Sequence, residues 1–195
     1  MKTVHGYGIN DGKYPSRVGS IIVKEYALWR GMIGRCYHRT ESRKIAYKRY
    51  DGCKVSEFFR YYSNFYDWVR SQKGFLIENF DLDKDLLVKG NKIYSEDTCV
   101  FLPREINRTL QNNRSDRGEY PIGVRLHKQS GCFMSSMRKC NDFVYIGLYK
   151  TPEEAFLAYK VTKELYLKEL ANKWKDQIDP RVYEALMNYE VEITD

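Results

Sequence analysis

The chain has 195 residues, 43% of them apolar, which is enough to bury one large core or two small ones and excludes a disordered tail. Lys and Arg number 33 against 26 Asp and Glu, and the resulting charge of +7 makes nucleic acid the first partner to consider. Met1-Lys2-Thr3-Val4-His5-Gly6-Tyr7 lacks a signal peptide's apolar core and no run reaches membrane-spanning length, so the expected setting is cytoplasmic, with no membrane partner.

Residues 1–24 carry Gly6, Gly8, Gly12, Pro15 and Gly19 and are expected to form an irregular N-terminal arm with one strand over 18–23. From Glu25 the spacing of Tyr26, Trp29, Met32, Ile33 and Cys36 predicts a helix, and Phe58, Phe59, Tyr62, Phe65 and Trp68 predict another over 55–68. Both stripes read as core. Arg30, Arg35, Arg39, Arg43, Lys44, Lys48, Arg49, Lys54 and Arg60 make this stretch basic, with Tyr37, Tyr47, Tyr50, Tyr61 and Tyr62 among them to pack or to stack on bases. The end of the chain, 176–195, is acidic and unsuited to phosphate. Cys36, Cys53, Cys99, Cys132 and Cys140 have no paired short spacing, so neither a disulfide framework nor a zinc knuckle is expected, and free thiols fit a reducing compartment.

Asp81-Leu82-Asp83-Lys84-Asp85-Leu86 reads as a carboxylate-bearing strand, and Gly90-Asn91 as a tight turn into a second strand over 93–99. Pro103 then opens a short helix that sets Arg104, Asn107, Arg108 and Gln111 on one face at i, i+3, i+4 and i+7. Phosphodiester hydrolysis needs an activated water, a base, and positive charge on the phosphorus oxygens; a carboxylate (Asp83) and an amide oxygen (Asn107) suit one hard cation, Mg²⁺ or Mn²⁺. The polar stretch 113–118 marks a linker. Runs at 122–126, 133–139 and 144–149 predict a three-stranded antiparallel sheet. Thr151, Pro152 and Glu154 then form a capping box before a helix with Ala155, Ala158, Tyr159, Thr162, Leu165 and Tyr166 on one face, and a last helix is expected over 180–189.

The hairpin residues Leu82-Asp83-Lys84-Asp85 and Asn91-Lys92-Ile93-Tyr94-Ser95-Glu96-Asp97-Thr98-Cys99, with the preceding Leu28-Trp29-Arg30-Gly31-Met32-Ile33-Gly34-Arg35-Cys36-Tyr37, resemble the phage-type HNH (homing) endonucleases over 25–112. The resemblance implies a ββα-metal unit in which Asp83 and Asn107 hold the metal. Lys84 stands where that family has its base histidine, and Thr98 where it has a structural asparagine. A Lys beside Asp83 and Asp85 tends to stay charged, so Asp85, His38 or a metal-bound hydroxide would have to act as base.

Gly131-Cys132-Phe133-Met134-Ser135-Ser136-Met137-Arg138 and Tyr145-Ile146-Gly147-Leu148-Tyr149-Lys150-Thr151-Pro152-Glu153-Glu154-Ala155 resemble the Apetala-type (ethylene-response-factor-like) DNA-binding domain over 119–166. That family enters the DNA major groove with its sheet. The likeness implies double-stranded DNA as partner, with Arg125, Phe133, Ser136, Arg138 and Tyr145 toward the bases and His127, Lys128 and Lys139 toward phosphate.

The expected fold class is therefore α+β: an N-terminal arm at 1–24, a helix-preceded HNH-like ββα unit at 25–112, a linker at 113–118, a sheet-plus-helix DNA-binding domain at 119–170 and an acidic helical tail at 171–195. The expected activity is that of a phage-type endonuclease, acting in host cytoplasm if phage-encoded, with Asp83, Lys84, Asp85, Asn107 and His38 around the cut and Arg104 and Arg108 on the backbone. The rival expectation, supported by Lys84 and Thr98, is a nuclease-derived, non-cutting DNA-binding protein that regulates or antagonises a host process.

Overall fold

Helical spacing of aromatic side chains organises the first half of the molecule. In the computed structural model, which describes residues 3–38, 48–111, 119–139 and 142–194, the chain forms two units, Met1–Phe101 and Leu102–Asp195. The class is α+β: the described residues form six α-helices, one three-stranded sheet and four two-stranded ladders.

In the first unit, α1 (Lys24–Tyr37) turns Trp29, Met32 and Ile33 inward, where all three are fully buried. The Trp29 indole donates to the Phe59 carbonyl at 2.8 Å and packs on Tyr62. Burial of each such side chain contributes about 1.5–3 kcal/mol. The single helix expected over 55–68 is two, α2 (Glu57–Arg60) and α3 (Tyr62–Ser71), because Tyr61 is extended at φ −89° and ψ 128°. Val55 instead belongs to β5 (Lys54–Val55), which runs parallel to β7 (Ile93–Tyr94). β6 (Phe80–Asp83) pairs with β8 (Val100–Pro103).

The expected irregular arm is built into this core. β1 (Thr3–Val4) pairs with β2 (Gly8–Ile9), and the strand expected over 18–23 is a hairpin of β3 (Arg17–Val18) and β4 (Ile21–Ile22). A Cβ on Gly8 would lie 2.8 Å from the Trp29 ring, so only glycine lets β2 come this close. Tyr7 stacks on Tyr37 at 4.2 Å and its hydroxyl donates to the Val55 carbonyl at 3.0 Å.

The second unit begins with α4 (Arg104–Leu110) and continues with β9 (Val124–His127), β10 (Cys132–Lys139) and β11 (Asp142–Tyr149), an antiparallel sheet in the order β11-β10-β9. Across one face lies α5 (Pro152–Trp174), which buries Ala155, Phe156, Tyr159 and Tyr166. Its capping box forms as the sequence predicts: Glu154 N–H donates to Thr151 Oγ1 at 3.2 Å, and the Glu154 carboxylate accepts from Thr151 N–H at 3.3 Å. α6 (Pro180–Met187) returns along α5, burying Val182 and Leu186.

Two expected boundaries shift. The ββα helix, α4, belongs to the second unit, because Glu105 accepts hydrogen bonds from Lys173 at 2.6 Å, Trp174 Nε1 at 3.2 Å and Tyr166 at 3.4 Å. The acidic tail is likewise part of that unit: Glu164 accepts from Val191 N–H at 2.8 Å while Lys160 donates to the Val191 carbonyl at 2.9 Å. The expected linker at 113–118 lies outside the described residues. No helix among the described residues is long and apolar enough to cross a membrane.

Candidate functional site

The second strand expected over 93–99 is only β7, which pairs with β5 and not with β6, and the segment between β6 and β8 is braced by its own polar side chains. Asp83 Oδ1, at the end of β6, accepts from the backbone N–H of Asp85 at 2.9 Å and of Leu86 at 2.8 Å, which turns the chain back. The Lys84 ammonium is buried, donating to the Asn91 carbonyl at 3.0 Å and pairing with Asp85, with the Tyr94 ring 5.6 Å away. The Asn91 amide returns the contact, donating to the Lys84 carbonyl at 2.8 Å and the Ile93 carbonyl at 2.7 Å. Thr98 Oγ1 donates to the Ile93 carbonyl at 3.1 Å and lies 2.8 Å from Ser95 Oγ. Thr98 and Asn91 thus brace this segment together, and the Lys84 side chain is held by the Asn91 carbonyl, Asp85 and the Tyr94 ring.

Asp83 retains one chemical resource. Its Oδ2 accepts no hydrogen bond from the described residues. Burial, with the Asp85 charge adding to it, raises its carboxyl above the ordinary carboxylate value, and the two turn amides oppose that rise. An oxygen of this kind fits one ligand position of a hard cation. Asn107, the expected second ligand, is half-buried on α4 in the other unit, where Arg104 and Arg108 are exposed one turn apart. Among the described residues no group of three or more His, Cys, Asp or Glu is assembled that could hold a metal. His38 caps the C-terminus of α1, and its Nδ1 lies 2.5 Å from His5 Nδ1, so its partner is His5 and not the hairpin.

In the second unit, strand register decides which side chains share a face. Met134 lies opposite Arg125 and Leu148, Ser136 opposite Tyr145, and Arg138 opposite Phe143. Opposite residues point the same way, so this set forms the face turned away from α5. Arg125, Arg138, Phe143 and Tyr145 are exposed there, with the Arg125 guanidinium 5.3 Å from the Phe143 ring centroid. His127 lies opposite Cys132 at the end of this face, held 2.8 Å from Ser130 Oγ, and exposed Lys128 follows in the turn. Phe133 does not join the set: its register with Leu126 and Tyr149 puts it on the opposite face, where its ring meets the edge of Tyr120 at 5.2 Å. Lys139 has the same parity and reaches α5, 4.6 Å from the Tyr166 ring and 3.5 Å from Glu169.

The chain matches no protein-family model, no curated protein and no solved structure. Sequence reading gave no site role to Asn91, read there only as part of the Gly90-Asn91 turn; to Phe143, which joins the exposed face through the register of β11; or to Arg35, read there only within the basic stretch.

Proposed function

We propose that the protein binds double-stranded DNA and that the outer face of the β9–β11 sheet reads it. The observation that carries this is the shared exposed face of Arg125, Ser136, Arg138 and Tyr145, with Lys128 at its edge. A short antiparallel sheet fits the roughly 12 Å major groove of B-DNA, and an Arg fork suits the two acceptors of guanine. The narrow major groove of duplex RNA would exclude it. The resemblance to the Apetala-type domain points the same way.

The test is a mobility-shift series on DNA selected from a random pool, with Arg125→Ala and Arg138→Ala. Each substitution is expected to weaken the selected site by about 1–3 kcal/mol and random DNA by much less. Equal losses on both would reduce the arginines to backbone contacts, and unchanged binding would end the assignment.

A second reading, metal-dependent cutting, rests on the open Oδ2 of Asp83. In it Asp83 would give one ligand to Mg²⁺ or Mn²⁺, and the ion would supply Lewis-acid stabilisation of charge on the phosphodiester. Plasmid cleavage by wild type that disappears in Asp83→Ala supports it. Intact plasmid under conditions of measured binding leaves DNA recognition as the function.

A further inference from the structure

Arg35 lies in the last turn of α1 with its guanidinium carbon 5.5 Å from the ring centroids of both Tyr50 and Tyr94. Its Nε donates to the Tyr94 hydroxyl at 3.3 Å, and it forms no other hydrogen bond and no ion pair with the described residues. A half-buried guanidinium is ordinarily matched by a carboxylate, because desolvated charge without a partner is costly. Among the described residues the neighbours offer no negative charge. Cys99 is pushed up to about 12, chiefly by burial, and remains a thiol; Tyr94 is raised by burial too and remains a phenol. The Lys84 ammonium, which faces the same Tyr94 ring, is paired with Asp85.

Two features leave the guanidinium open to a ligand. Among the described residues nothing binds either Nη group, a planar fork that matches two oxygens of a tetrahedral anion, and the Tyr94 O–H is a third donor. One turn earlier stands Gly31, where a Cβ would meet nothing but Arg35 Nη1, at 3.8 Å, so the approach over that turn is clear.

We propose that Arg35 and Tyr94 form a phosphate site in the first unit, beside the braced segment. Its ligand is a phosphodiester of the DNA backbone or a free phosphate group; the first case rests on the DNA-binding reading and the second does not. The ring faces of Tyr50 and Tyr94 hold the fork in place before the ligand arrives. Sequence specificity is no part of this site.

The experiment compares wild type with Gly31→Glu and Arg35→Met. Gly31→Glu places a carboxylate four residues before Arg35 on the same helical face and removes a helix-interior glycine, so it folds at least as well while occupying the fork from within. Arg35→Met keeps the packing and deletes the charge. Melting temperatures are measured with inorganic phosphate and with a short duplex, alongside duplex affinity. Wild type is expected to be stabilised in proportion to ligand concentration, and both variants to lose that shift.

A duplex affinity lower by about tenfold in both variants identifies the DNA backbone as ligand. An unchanged duplex affinity with the phosphate shift lost identifies free phosphate. No shift in wild type with either probe, or a shift that survives in both variants, overturns the site. Arg125→Ala/Arg138→Ala separates the two proposals, since it should abolish selective DNA binding and leave the inorganic phosphate shift intact.

Discussion

At the scale of single residues, two buried polar groups contribute little to stability. Asp83 is one. Burial raises its carboxyl, so the folded state holds this proton more tightly than the unfolded chain does. The stability from that difference is present at low pH and is lost as pH rises from the ordinary 3.8 through the folded value. Asp83→Asn keeps an oxygen for the Asp85 and Leu86 amides and removes the charge, so it should melt higher than wild type at pH 7, with the advantage vanishing toward pH 3.8. A lower melting temperature at pH 7 would mean that the charge itself holds the turn. Ser135 is the other, a fully buried hydroxyl with no hydrogen-bond partner among the described residues. Ser135→Ala should be neutral or stabilising by up to about 1 kcal/mol in urea unfolding, and a clear loss would contradict that. That Asp83 closes a carboxylate-bearing strand was legible in the sequence as a local pattern. The commitment of Lys84 was not, since its carbonyl acceptor lies seven residues on at Asn91 and its ring at Tyr94.

Among the elements, those with chemical punctuation were readable and those without it were not. Thr151, Pro152 and Glu154 announce α5, and the structure repeats the box atom for atom. Thr151→Ala should therefore cost about 1 kcal/mol, read as a lower urea midpoint with an unchanged slope. The two-residue strands β1 to β5 carried no such signal, because alternation needs at least four residues to be seen. Face assignment in the sheet was only partly legible: the register of β10 against β11 shifts between Ser135 and Ser136, skipping Ile146, and this irregularity brings Tyr145 and Phe143 onto the same face as Leu148. Gly123, before β9, lies against the Tyr159 ring of α5. Its φ is +78° and a Cβ would lie 2.1 Å from the Tyr159 ring. Gly123→Ala combines backbone strain with overpacking and should cost on the order of 3 kcal/mol, enough to shift the thermal midpoint by several degrees.

For the whole molecule, the division into units was misplaced by one helix because the contacts that assign α4 are not local. Glu105 finds its partners 61, 68 and 69 positions away, at Tyr166, Lys173 and Trp174. Ion pairing, both long-range and local, also limits what a net charge of +7 says about binding. Lys13 is paired with Asp67, Arg60 with Glu57, Arg70 with Glu25 and Lys84 with Asp85, so these cations are partly neutralised before any ligand arrives. Each phosphate neutralised contributes about −0.9 to the slope of log affinity against log salt. Seven contacts would give about −6. If Lys128, Arg104 and Arg108 are the backbone contacts of the second unit, its share is about −3, and Arg104→Ala or Arg108→Ala should each flatten the slope by about 1 without changing base preference. Arg125→Ala and Arg138→Ala should do the reverse, eroding preference at nearly constant slope, because an arginine that gives its fork to guanine displaces few counterions. A slope near −6, or preference that follows Arg104 and Arg108 instead, would move the reading face from the sheet to α4.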